Sequence, residues 1–215
     1  MAFNKHIAEL RKDYIQQELS EKEVSPDPLI QFEKWWNEAI KSEGDEINAM
    51  TLATSNSNGK PSARIVLLKG FGEEGFIFFT NYKSKKGEEL QQNPFAALVF
   101  FWKELERQVR IEGSVQKISE ADSDEYFFMR PESSRLGAWG SPQSTVIKDR
   151  EFLQKNIEHY RNVFNNATIP RPEYWGGYII KPSAIEFWQG RPGRLHDRIQ
   201  YTAADSGWQI NRLAP

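Results

Sequence analysis

The chain has 215 residues, 28 Lys and Arg against 30 Asp and Glu, a formal net charge of −2, 13% aromatic residues and no cysteine. That balance argues against a general nucleic-acid or membrane-surface binder, which carries a basic excess. The lack of cysteine excludes disulfides, thiolate metal sites and cysteine nucleophiles, and fits a cytoplasmic protein.

The N-terminus, MAFNKHIAELRKDY, is charged and lacks the apolar run of a signal peptide. Ile7, Leu10, Tyr14 and Ile15 predict a short amphipathic helix over 5–19. SEKEVSPDP, 20–28, reads as a linker, with Asp27 as N-cap and Pro28 at the first position of a helix. Leu29, Phe32, Trp36, Ala39 and Ile40 form the expected apolar face of that helix. Strands follow at 49–55, 62–70 and 75–81, with Asn58-Gly59 as a hairpin turn. The continuous apolar run of SARIVLLKG predicts that both faces of its strand are buried. Ser84 caps a short helix, KKGEELQQN, that stops before Pro94. FAALVFFW, 95–102, is a strand. In 107–119 Val109, Ile111 and Val115 alternate with Gln108, Arg110, Glu112 and Ser114.

Ser119 and Asp122 predict a capped helix to about Met129, ended by Pro131. Residues 130–144 read as loop. Residues 149–165 read as a helix with Leu153, Ile157, Tyr160 and Phe164 in one stripe. YWGGYIIKP, AIEFWQ and SGWQINRLAP read as three closing strands. The expected fold class is α+β, a mostly antiparallel barrel with peripheral helices.

Several motifs compete for function. GFGEEG, 70–75, matches G-x-G-x-x-G, but a strand follows it and Glu73 and Glu74 would repel phosphate, so it reads as a hairpin turn. His6, His159 and His196 lack ligand spacing, which argues against zinc. Arg64 and Lys69 bracket an apolar strand, and Lys83, Lys85 and Lys86 open a helix; each reads as ordinary surface charge unless an anion lies among them. Arg130 is a bidentate phosphate donor, with Tyr126 and Ser134 nearby in sequence, yet a cation at a helix C-terminus is also simply favourable. In EFWQGRPGRLHDRIQY, a strand over Arg194–Arg198 would put Arg194, His196 and Arg198 on one face, where they repel unless an anion sits between them.

Together RIVLLKG, TNYKSKKGEELQQNP, FFWKELERQVRIEG, YFFMRPESSRLGAW, PQS, YWGGYII, EFWQGRPGRLHDR and RLAP, in that order, closely resemble the pyridoxine (pyridoxamine) 5′-phosphate oxidases. The resemblance implies an FMN-binding split-barrel domain over 49–215, preceded by an N-terminal helical segment and linker over 1–48 within a single domain overall. It further implies a cytoplasmic homodimer with FMN at the subunit interface. The implied reaction is oxidation of pyridoxine 5′-phosphate or pyridoxamine 5′-phosphate by O2 to pyridoxal 5′-phosphate and hydrogen peroxide, with hydride passing from C4′ to flavin N5. The implied FMN contacts are Arg64, Ile65, Val66, Leu67, Leu68, Lys69, Phe79, Thr80, Lys85, Lys86, Gln108, Gln143, Ser144, Trp188 and Arg198. Lys69, Tyr126, Arg130 and Ser134 would hold the substrate phosphate, and Arg194, Leu195 and His196 would lie over its ring, with Arg194 and His196 as catalytic groups. Arg11 and Tyr14 fit a segment that closes over the substrate. Lys85 stands where many relatives have arginine, turning a fork into a point charge. Two readings compete: another FMN-dependent reductase on the same barrel, and a non-catalytic binder of FMN or pyridoxal phosphate. The first would have no need of the Tyr126, Arg130, Ser134 and Arg194–His196 set.

Overall fold

The structure is a computed structural model that describes residues 14, 17–42, 45–165 and 167–215. The helix expected over 5–19 and the expected contact Arg11 therefore lie outside the described residues, apart from Tyr14 and 17–19. Among the described residues five α-helices and nine strands follow in the order α1 (Pro28–Ser42), β1 (Ala49–Ser55), β2 (Pro61–Leu67), β3 (Gly70–Gly72), β4 (Gly75–Asn81), α2 (Lys85–Gln92), β5 (Phe95–Trp102) and β6 (Arg107–Lys117). Then come α3 (Glu120–Met129), α4 (Glu132–Gly140), α5 (Arg150–Phe164), β7 (Trp175–Gln189), β8 (Asp197–Ala204) and β9 (Gly207–Arg212). The strand order is β2-β1-β5-β6-β7-β4-β3, with β8 on β7 and β9 on β8. The pairings β1–β2, β3–β4, β4–β7, β7–β8 and β8–β9 are antiparallel, as expected.

The chain divides into two compact units, one of Met1–Ile47, Val99–Ile111 and Ser183–Pro215, the other of Asn48–Leu98 and Glu112–Pro182. The first is built on α1. Phe32, Trp35 and Ala39 are fully or almost fully buried. Phe32 meets Phe100 at 5.3 Å, Trp35 meets Phe187 edge-on at 5.1 Å, and Phe187 meets Tyr201 at 5.6 Å. Each such side chain contributes roughly 1.5–3 kcal/mol by leaving water. Trp35, not Trp36 or Ile40, completes the buried face, and Ile40 is exposed. The reason is Arg107: its guanidinium lies 4.3 Å from the Trp35 ring and donates to Glu38, Gln17 and Gln189, drawing the Trp35 side of the helix inward. The segment before α1 docks on the end of the chain. Leu19 N–H donates to Asp197 at 3.1 Å, Tyr201 O–H to the Ser25 carbonyl at 2.6 Å, and Arg212 to the Leu19 carbonyl at 3.0 Å.

The second unit carries the pocket described below. Its local signals act as the sequence predicts. Ser84 accepts from Gly87 N–H and caps α2, and Ser119 accepts from Asp122 N–H and caps α3; Asp149, which the sequence reading had not singled out, accepts from Phe152 N–H and caps α5. GFGEEG is a hairpin turn between β3 and β4.

Further expectations are corrected. Residues 130–144 are not all loop, because Glu132–Gly140 is α4. Its Ser- and Gly-rich sequence is a poor helix former, but Leu136 and Ala138 join a buried cluster with Phe127, Ile169 and Trp175. Gly140 also leaves room for Ile157 of α5, whose Cδ1 lies 2.6 Å from where a Cβ would stand. Next, β2 is not buried on both faces: exposure alternates along it, and Ile65 is 65% exposed. Last, the closing strands are β7, a single 15-residue strand where two were expected, then β8 and β9. Residues 194–196 are not strand. Pro192–Arg194 is a 3-10 turn, Gly193 and Arg194 have φ of +64° and +63°, and β8 begins only at Asp197. The single-face arrangement of Arg194, His196 and Arg198 therefore does not form.

Candidate functional site

A cavity of about 470 Å³ opens in the second unit, within the size range of small-molecule sites. Strand β2 supplies Ile65, Val66 and Leu67, β4 supplies Phe79, Thr80 and Asn81, and α2 supplies Lys86. Lys69, Tyr126, Arg130, Ser134 and Gln143 complete the set that the sequence had singled out, now brought together around one space. Sequence reasoning missed Asn81, Gly137, Ala138, Ser141 and Trp175. All five lie in or beside segments already quoted for the resemblance, and the reading of α4 as loop concealed Gly137 and Ala138.

One wall is aromatic. Tyr126 stacks on Phe79 with ring centres 3.9 Å apart, and Phe79 stacks on Trp175 at 5.6 Å. The Lys69 ammonium lies 5.9 Å from the Tyr126 ring, and the Arg130 guanidinium lies 4.4 Å from the Trp175 ring. This wall offers flat faces with cations at its edge, suited to a planar, anionic ligand.

The cations differ in what they already hold. Lys86 is buried, and its described hydrogen-bond partners are two hydroxyls, Thr80 at 3.2 Å and Ser84 at 3.5 Å. Burial, followed by the charge of Arg64, pushes its ammonium below the ordinary lysine value. Burial likewise lowers Arg130, whose Nη1 is buried with no hydrogen-bond partner among the described residues. A buried donor without a partner costs about 1–3 kcal/mol, so an anion is the natural complement at both places.

Arg64 is different. It donates to Thr54 at 2.6 Å, to the Leu52 carbonyl at 3.1 Å, and to Ser62, and it pairs with Glu89 at 3.3 Å. Glu89 is itself buried and accepts from Thr54 and Ser62 at 2.5 Å each. Burial pushes its carboxyl up, but the Ser62 and Thr54 hydrogen bonds and the Arg64 charge outweigh that and hold it below the ordinary value. Arg64, Lys86 and Glu89 thus leave one net positive charge at this end of the cavity. Lys85 points outward, its side chain 63% exposed and 4.0 Å from Glu89. Leu68 is buried, and Ser144 is an exposed residue with φ +70°. Arg64, Leu68, Lys85 and Ser144 share the unit but do not line the cavity.

The remaining singled-out residues, Tyr14, Gln108, Trp188, Arg194, Leu195, His196 and Arg198, belong to the first unit. There Trp188 packs against His196 with ring centres 4.6 Å apart, and Tyr14 meets the two rings at 5.6 and 5.9 Å. Gly190 makes that approach possible, since a Cβ would stand 2.6 Å from Tyr14 Cγ. Arg198 forms a two-pronged pair with Glu186 at 2.8 and 3.1 Å, which raises its pKa. Arg191 pairs with Glu18 at 2.6 Å and with Asp197 at 3.6 Å. Arg194 and Leu195 are exposed, and Arg194 has no carboxylate partner among the described residues. The cluster that looked most cationic in sequence is therefore largely neutralised by its own chain.

Among the described residues no group of three or more His, Cys, Asp or Glu could hold a metal, and no helix is long and apolar enough to cross a membrane.

The family profile described as Pyridoxamine 5′-phosphate oxidase matches residues 36–164, and that of the Pyridoxine 5′-phosphate oxidase C-terminal dimerisation region matches 175–215. The chain is 58% identical to a pyridoxine/pyridoxamine 5′-phosphate oxidase of Nostoc sp. (strain PCC 7120), covering 97% of this chain and 98% of that one. It is 56% identical to the enzyme of that name from Polynucleobacter asymbioticus, covering 97% and 99%. Among solved structures, PhzG from Burkholderia lata 383, in complex with tetrahydrophenazine-1-carboxylic acid, superposes with a TM-score of 0.87 at 27% identity over 95% of this chain and all of that one. A pyridoxamine 5′-phosphate oxidase-related, FMN binding protein from Nostoc punctiforme PCC 73102 shares the fold, with a TM-score of 0.67 at 19% identity over 86% and 97%.

Proposed function

The chain belongs to the pyridoxamine 5′-phosphate oxidase family, and from that premise we propose that it oxidises pyridoxine 5′-phosphate or pyridoxamine 5′-phosphate to pyridoxal 5′-phosphate, with FMN as cofactor and O2 as oxidant. The alcohol gives aldehyde and hydrogen peroxide. The amine, with one water, gives aldehyde, ammonia and hydrogen peroxide. The observation that carries this reading is the cavity lined by two cations that form no ion pair among the described residues, the buried Lys86 and the half-buried Arg130, the second of them against the aromatic wall. Two such cations match a chemistry that must bind two phosphates, one on the cofactor and one on the substrate.

The donor set fits FMN. Lys86, with Thr80 and Ser84 hydroxyls beside it, would take the cofactor phosphate, and residues 65–69, at the end of β2 and just after it, and Phe79 would border the ring system. Gln108, Gln143, Ser144, Trp188 and Arg198 remain proposed contacts. Arg198, already matched by Glu186, would offer hydrogen bonds and little net charge. When bound, FMN supplies the hydride acceptor and passes the electron pair to O2. The protein's part is position and charge. Lys69, Tyr126, Arg130 and Ser134 would hold the substrate phosphate, so the reacting carbon is located by binding energy from a group that does not react. Arg194, Leu195 and His196 would serve the substrate ring, and Tyr14 would cover it. A homodimer is proposed from the match of 175–215 to a dimerisation region, and the exposed Ile65 on β2 gives such a contact apolar surface.

The deciding experiment incubates the purified, FMN-loaded protein with pyridoxine 5′-phosphate and follows peroxide and pyridoxal 5′-phosphate in equal amounts. A protein that binds FMN yet forms neither, or that turns over only with a reduced nicotinamide, refutes the reading.

A further inference from the structure

Helix α4 stands between two cavities. Ser134, Gly137 and Ala138 line the one described above, and Glu132, Arg135 and Leu136 line a second. Each set has the spacing i, i+3, i+4, which is one face of a helix. The sets are offset by two residues, about 200° around the axis. The cavities therefore lie on opposite sides of α4, and they share no residue. The second has a volume of about 340 Å³ and is completed by Arg161 of α5 and by Thr168 and Ile169 after that helix.

Its two guanidiniums have no counter-charge. Arg135 Nε is buried with no hydrogen-bond partner among the described residues. Neither Arg135 nor Arg161 forms an ion pair among the described residues. Glu132 stands one turn before Arg135 on the same face, the favourable order for a helical pair, yet the two form none. Glu132 instead opens α4, where the N-cap Pro131 makes no side-chain hydrogen bond, so its charge answers the helix N-terminus. Leu136 and Ile169 are buried and give the cavity an apolar floor. An arginine carries only donors and does not give up its proton. A guanidinium N–H kept from water beside such a floor is complemented by an anionic acceptor.

We propose that this cavity is a second anion site, separate from the one assigned to FMN and substrate, and that it binds a phosphate group between Arg135 and Arg161. One guanidinium fork uses both oxygens of a carboxylate, whereas a phosphate has oxygens for two forks and for the Thr168 hydroxyl. Two arginines against one glutamate leave the lining with one net positive charge, which favours the anion. The inference goes beyond the proposed reaction and needs no turnover.

The test uses FMN-loaded, full-length protein carrying Arg130→Gln, so that the first cavity has lost a phosphate-holding cation. Its melting temperature is followed against inorganic phosphate, with ionic strength held constant by NaCl. A ligand that binds only the folded protein raises that temperature saturably. Saturable stabilisation is expected, and adding Arg135→Gln or Arg161→Gln should raise the half-saturating concentration about tenfold or more. Arg161 is exposed on α5, so its variant reads the site even where Arg135→Gln does not fold. Acetate should stabilise less than phosphate at equal concentration. No saturable rise above the NaCl control, or a rise unchanged when both guanidiniums are replaced, overturns the site. Acetate that matches phosphate overturns the choice of phosphate. Glycerol 3-phosphate, titrated beside the free ion, separates two sources of the same group, since the lower half-saturation identifies the ester or the ion as the occupant. Failure of the parent protein to form pyridoxal 5′-phosphate would refute the proposed function and leave this result standing.

Discussion

The cavity of the second unit and the β7–β8 end of the first both gather cations, but in opposite electrostatic states. Around the cavity, Lys86 is buried beside hydroxyls and Arg130 is half-buried against rings, and burial lowers the pKa of both. At the β7–β8 end, Arg191, Arg198 and Arg212 each hold a carboxylate of their own chain, and the pKa values of Arg198 and Arg212 are raised. The difference shows that density of positive charge in a sequence does not mark an anion site. What marks it is a cation kept from water without a counter-charge, because only there does an incoming anion replace a missing interaction instead of competing with one already made.

The contrast can be broken by three substitutions. Lys86→Met should have the largest effect. Removing a buried cation from opposite a dianion should weaken FMN binding by on the order of 10²-fold or more, measured as quenching of flavin fluorescence on titration of the apoprotein. Affinity within a factor of three of the parent would show that Lys86 is not the phosphate's partner. Glu89→Gln should act more moderately and with two signs. The apoprotein should lose about 1–3 kcal/mol, read from denaturant midpoints, because Arg64 loses its counter-charge. FMN should then stabilise the variant more than the parent, because the phosphate faces one negative charge fewer. A pH signature sharpens it. Glu89 has a lowered pKa in the folded protein, so its contribution is present above the ordinary value of 4.5 and is lost as pH falls below it. The Gln variant should lack that part of the acid loss. Arg212→Ala should have the smallest effect. Its pairs with Glu21 and Asp197 lie near water, where ion pairs contribute little, so FMN affinity should not change and the melting temperature should fall only slightly. A loss of FMN comparable to that of Lys86→Met would erase the distinction between the two regions.

What could be read from the sequence follows the range of the interactions involved. The caps at Ser84 and Ser119 and the turn at Asn58-Gly59 are set within a few residues, and each stands as expected. The α5 stripe of Leu153, Ile157, Tyr160 and Phe164 supplies its half-buried side, as its period requires. The misses are all decided at long range. Helix α4 exists because distant apolar side chains bury Leu136 and Ala138. Trp35 displaces Trp36 because of a guanidinium about seventy positions away in the chain, Arg107. The same holds for charge: eleven residues seen as a set in sequence do line one cavity, but that Arg64 is already paired depends on Glu89, 25 positions on, and that Arg198 is paired depends on Glu186 across the β7–β8 hairpin.

The docking of residues 19–25 onto the last two strands has a consequence for synthesis. Leu19 bonds to a residue 178 positions later, and Glu21 to one 191 positions later. At roughly 5–20 residues per second of translation, the beginning of the chain waits on the order of ten to forty seconds before its partners are made. This segment can find its place only after residue 212 has been made, so it settles later than elements whose partners lie close by in the chain.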